Sequence, residues 1–79
     1  MSAKLLKEIN QRIKEEGNIE EIVELDLGDL RIPAISDDIE KLLDKAKNLE
    51  ILILADNDLE NVNNLPKLDL TVLELSSNK

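Results

Sequence analysis

An α/β solenoid of short parallel strands is expected of this chain, on three grounds. Leu49, Leu52, Leu54, Asn57 and Leu59 fall at the spacing L-x-x-L-x-L-x-x-N-x-L. The same spacing returns 21 residues later at Leu70, Leu73, Leu75 and Asn78. A degenerate copy stands 27 residues before Leu49, at Ile22, Leu25 and Leu27, with Leu30 where asparagine belongs. A period of roughly 20 to 29 residues with this signature marks a leucine-rich repeat, in which each unit gives one short strand to a parallel sheet and returns over the convex side.

Residues 1–79 are expected to form a single unit. The N-terminal helical cap is 1–18, a degenerate repeat with a helix in its return is 19–48, a clear repeat is 49–69 and a truncated third is 70–79. The spacing predicts a helix over 3–16: Ser2 stands at its start, Leu5, Leu6, Ile9 and Ile13 recur at helical intervals, and Gly17-Asn18 stops it. Lys4, Lys7, Arg12 and Lys14 alternate with Glu8, Glu15 and Glu16 on its outer side, a pattern read as a solvated cap face. Ser36-Asp37-Asp38 opens a second helix carrying Ile39, Leu42, Leu43 and Ala46 on one face, with Lys45 and Lys47 at its negative end. Leu59, Val62 and Leu65 step by three and precede Pro66, which predicts a tight return of 3-10 turns. The last strand is expected to be an uncovered edge, as in a piece of a longer solenoid or a minimal unit, with self-association through Leu70 to Ser76 as its hazard.

Composition excludes several functions. The chain has no Cys and no His, so thiolate nucleophiles, imidazole bases and the usual zinc ligands are missing. It has no Phe, Tyr or Trp, so base stacking has no platform. A net charge of −8 repels phosphates and favours basic partners. The longest apolar run, Ile51 to Ala55, is too short for a bilayer, and no signal peptide or N-x-S/T sequon is present. The expectation is an intracellular protein that binds neither nucleic acid nor membrane and uses no cofactor or metal.

With the motif leucines inward, strand alternation turns Glu24, Asp26, Gly28 and Asp29 of the first strand to the concave or rim surface. Ile51, Ile53, Ala55 and Asp56 follow from the second, and Val72, Glu74, Ser76 and Ser77 from the third. An apolar stripe flanked by carboxylates suits a basic protein or peptide. The candidate binding residues are therefore Glu24, Asp26, Asp29, Ile51, Ile53, Asp56, Val72 and Glu74. Asn57 and Asn78 are read as structural, their amides turned inward to satisfy backbone groups at the bend. Asp56 to Glu60 resembles the start of a calcium loop, but Asn61 replaces the glycine and Lys67 the closing glutamate, so that reading fails. Asp29 and Asp56 are expected side by side on adjacent strands, where a bound cation or a partner's lysine would ease their repulsion. Asp26 and Glu74 stand two strands apart, near the separation of an inverting glycosidase pair. With no aromatic subsite and no enclosed pocket expected, no catalytic residue is assigned.

The segment N-L-E-I-L-I-L-A-D-N-D-L-E-N-V-N-N-L-P-K-L, followed by V-L-E-L-S-S-N-K, resembles the start of the acidic leucine-rich nuclear phosphoproteins. N-N-L-P-K-L with L-E-L-S-S-N is its most specific part. The resemblance implies a curved solenoid that binds histones and other basic proteins. It further implies restraint of histone acetylation and protein phosphatase 2A, and shuttling between nucleus and cytoplasm. It covers the first half of such a repeat domain. Similar motifs occur in the leucine-rich spliceosomal A-prime protein and an axonemal dynein light chain.

Overall fold

The computed structural model describes residues 3–79, so the expected helix cap at Ser2 lies outside the described residues. Two helices and three strands follow one another as α1 (Ala3–Glu16), β1 (Glu24–Asp26), α2 (Asp37–Asp44), β2 (Ile51–Ile53) and β3 (Val72–Glu74). The strands form an open parallel sheet in the order β1-β2-β3.

Helix α1 buries Leu5, Ile9 and Ile13, one residue per turn, against the β1 end of the molecule. It stops at Gly17, whose φ of +133° suits a residue without a Cβ and whose N–H donates to the Ile13 carbonyl at 3.0 Å. Helix α2 starts at Ser36, whose hydroxyl accepts from the Ile39 N–H at 3.3 Å, and Asp37, Asp38 and Glu40 sit in its positively polarised first turn. Ile39 and Leu43 face inward, with Ala46 buried just beyond the helix end.

The sheet has a buried face and an open one. Leu25, Leu52 and Leu73 form one register row, with Leu25 and Leu52 fully buried. Leu25 and Leu52 join Leu27, Leu54, Ile32, Ile39 and Leu43 in one aliphatic core. Leu73, in the same row on the edge strand β3, is 38% exposed. Burial of the leucine-rich row, at about 25 cal/mol per Å² of apolar surface, is the main drive holding the sheet down.

The return from Leu59 to Leu70 departs from expectation: it contains no 3-10 helix. A single turn remains, with the Leu65 N–H donating to the Val62 carbonyl at 3.1 Å. Two asparagine side chains hold the segment instead. Asn61 Oδ1 accepts from the Asn63 N–H at 3.1 Å, and Asn64 Nδ2 donates to the Ile35 carbonyl at 2.8 Å. Pro66 then offers no N–H to continue a ladder.

Candidate functional site

The open face is assembled by register. Glu24, Ile51 and Val72 form one row across the strands, and Asp26, Ile53 and Glu74 form the next. Beyond the strand ends the same order holds in the loops. The Asp29 N–H donates to the Ala55 carbonyl at 3.1 Å, and the Asp56 N–H to the Ser76 carbonyl at 3.0 Å. Asp29, Asp56 and Ser77 each turn the chain through the left-handed region, with φ of 57°, 57° and 58°. Aspartate tolerates that conformation better than most residues, because its short polar chain suits tight turns.

Six of the eight sequence-assigned binding residues lie in these two rows, and Asp29 and Asp56 lie in the loops beyond the strand ends. Ile51 and Ile53 are half-buried in the middle of the open face, Val72 is 48% exposed, and Glu24, Asp26, Asp29, Asp56 and Glu74 are exposed. Two carboxylates are held in place by their own strands: Asp26 Oδ1 accepts from the Gly28 N–H and Glu74 Oε1 from the Ser76 N–H, both at 2.8 Å. The Ser76 hydroxyl and then its backbone N–H keep the Glu74 carboxyl below its ordinary pKa of 4.5, with a smaller contribution from the Leu75 backbone. The carboxylates of Asp29 and Asp56 make no hydrogen bond or ion pair among the described residues. Also among the described residues, no group of three or more Asp or Glu side chains is arranged to hold a metal ion.

Asn57 and Asn78 sit at the foot of this face and serve the backbone. Asn57 is buried, its Nδ2 donating to the carbonyls of Leu54 and Leu27 at 3.0 Å and of Ala55 at 3.2 Å. Its Oδ1 accepts from the N–H groups of Leu30 and Ile32 at 3.1 and 2.9 Å. Asn78 repeats the arrangement one strand later, with Nδ2 to the carbonyls of Leu75 and Leu54 and Oδ1 from the Leu59 N–H.

Two features escaped the sequence reading. Arg12, assigned there to a solvated helix face, is half-buried and reaches the β1 edge, where Nη1 and Nη2 donate to the carbonyls of Asp26 and Gly28 at 2.9 and 3.1 Å. Its position three residues after Ile9, beside the buried stripe, was the available signal. The second is a cleft of about 660 Å³ between α1 and the 29–36 segment, with Leu5, Leu30 and Ala34 in its wall and Lys4, Glu8 and Arg31 at its rim. It lies off the sheet face, sharing only Asp29 with the rows described above. Among the described residues no helix is long and apolar enough to cross a membrane. Compared with known proteins, the chain matches no family model, no curated protein and no solved structure.

Proposed function

We propose that this chain is a non-enzymatic leucine-rich repeat module whose open sheet face binds a basic protein or peptide. The observation that carries this is the adjacency of the rows Glu24–Ile51–Val72 and Asp26–Ile53–Glu74 on one exposed surface. An aliphatic strip between carboxylates offers apolar contact to a side-chain stem and charge to a Lys or Arg head, on a chain of net charge −8. The recurring asparagine bonding of Asn57 and Asn78, and the left-handed turns at equivalent places, support the repeat reading. Resemblance to the acidic leucine-rich nuclear phosphoproteins makes histones the first partners to try, and the nucleus and cytoplasm the compartments in which to look. Titration of histone tails onto the wild type, and onto a variant with Asp26, Asp29 and Asp56 changed to Asn and Glu74 to Gln, tests the proposal. Binding that weakens at least tenfold in the variant and falls with salt is expected; equal binding by both would sink it.

A second reading, favoured by the exposure of Leu73, is structural: the unit seeds or terminates a solenoid, or pairs through its open β3 edge.

A further inference from the structure

The first return of the chain is longer than the second: 27 residues lead from Ile22 to Leu49, and 21 from Leu49 to Leu70. Part of that longer return, the 29–36 segment, faces α1 across the cleft of about 660 Å³. Both walls are fixed. One is a helix. In the other, the N–H groups of Leu30 and Ile32 donate to the buried Asn57, and the Ile32 carbonyl accepts from the Asp58 N–H at 3.0 Å. The Ile35 carbonyl is taken by Asn64. The cleft is therefore preformed, and its volume falls within the roughly 300 to 1,000 Å³ of small-ligand pockets. Leu30 stands where Asn57 and Asn78 stand in the later leucine motifs; it is half-buried and joins Leu5 and Ala34 in an aliphatic lining.

The charges are shared between the walls. Helix α1 gives Lys4 and Glu8, and the segment gives Asp29 and Arg31, so each side presents one cation and one anion. None of these four side chains makes a hydrogen bond or ion pair among the described residues. Both cations also stand where the fold disfavours them. Lys4 is in the first turn of α1, at its positively polarised end, with no acidic residue in that turn. Arg31 has a φ of 56°. Asp29, Asp56 and Ser77 share a left-handed turn at matching places in the three leucine motifs, but Asp58, the counterpart of Arg31, has none, so the Arg31 conformation belongs to this cleft alone. Backbone held in a disfavoured region recurs where ligands are clamped.

We propose that the cleft binds a short aliphatic peptide with both termini free. Its carboxylate pairs with Lys4 and Arg31, its ammonium with Glu8 and Asp29, and its side chains lie on Leu5, Leu30 and Ala34. A ligand bearing both charges satisfies all four rim groups, whereas an anion alone would meet Glu8 and Asp29, and a cation alone Lys4 and Arg31. Rigid walls spare the ordering cost that a loose site would impose on binding. This surface is separate from the open sheet face, with which it shares only Asp29.

Amide-detected NMR titration of the isotope-labelled chain with dileucine, N-acetyl-dileucine and dileucine amide tests this. Expected are saturable shifts of the Leu30, Arg31 and Ala34 amides with dileucine, and binding at least tenfold weaker when either end is blocked. Arg31→Gln and Glu8→Gln should each weaken dileucine binding at least tenfold with an unchanged far-UV circular dichroism spectrum. Lys67→Gln, which removes an exposed cation elsewhere, should leave it as it is. The blocked peptides probe the charges on the unaltered chain, so the result does not depend on how any variant folds. No saturable shift with dileucine overturns the site, and equal affinity with either end blocked overturns the charge pairing that defines it. Titration of histone tails reads the open sheet face instead, so the two readings can fail separately.

Discussion

Arg12 Nη2 lies 3.1 Å from the carbonyl oxygen of Gly28, sixteen residues along the chain, and so ties the first helix to the end of the first strand. Together with the bond from Nη1 to Asp26, it gives the β1 edge two charge-assisted hydrogen bonds. Arg12→Ala should destabilise the chain by about 1 to 2 kcal/mol, at the lower part of the charged-bond range because the site is half open to water. Arg12→Lys should recover only part of this, since an ammonium cannot span both carbonyls as a planar fork does. Urea unfolding followed by far-UV circular dichroism measures both; the lack of any aromatic residue removes fluorescence as a probe.

The two asparagines should differ in cost although their bonding is alike. Asn57→Ala strips partners from the Leu27 carbonyl and the Ile32 N–H inside the core, and buried groups left unpaired cost about 1 to 3 kcal/mol each. A loss of about 3 kcal/mol is expected. Asn78, half-buried at the open end, should cost about 1 kcal/mol when changed to Ala. Equal losses at the two positions would show that the end strand is as tightly held as the middle one.

Placement of the strands and of the exposed rows was legible because leucine spacing fixes a period of two: Leu25, Leu52 and Leu73 fall in one register row, and Asp26, Ile53 and Glu74 necessarily lie on the opposite side. The start of α2 was legible from Ser36 and the acids behind it. Arg12 was not, because a basic residue on an amphipathic helix looks solvated until its target, 14 and 16 residues away, is placed beside it. The 59–70 return misled because a step of three suits either a lone turn or a 3-10 helix, and the segment is held instead by the local turn of Asn61 onto the Asn63 N–H and by Asn64, whose bond to Ile35, 29 residues away, no local pattern encodes. The cleft beside α1 arises where a helix meets a loop and leaves no periodic trace.

Arg31 adopts a φ of 56° and its side chain makes no hydrogen bond or ion pair among the described residues. For a residue other than Gly, Asn or Asp that conformation costs roughly 1 to 2 kcal/mol, and glycine gives back part of the gain through chain entropy. Arg31→Gly should therefore stabilise the fold by about 0.5 to 1 kcal/mol. A lower urea midpoint for this variant would mean that the arginine stem holds the loop by packing.

Glu74 gives a signed pH dependence. Its carboxyl pKa lies below the ordinary 4.5 in the folded chain, through the Ser76 hydroxyl and N–H. The folded state thus binds this proton less readily than the unfolded one. Its contribution to stability is complete above the ordinary value and is lost as pH falls through the lower folded value. Carboxyl carbon NMR titration should show Glu74 titrating below the ordinary glutamate value. Ser76→Ala should bring it back toward that value, and an unmoved midpoint would assign the shift to something other than the Ser76 hydroxyl.

Every bond made by the two asparagine side chains reaches backward along the chain. Asn57 binds Leu27, Leu30, Ile32, Leu54 and Ala55, and Asn78 binds Leu54, Leu59, Leu75 and Ser76. During synthesis, at about 5 to 20 residues per second, each asparagine leaves the ribosome after all of its partners. Each layer is therefore closed by the next one made: the Leu27 carbonyl and the Leu30 and Ile32 N–H groups wait for Asn57, and the Leu59 N–H waits for Asn78.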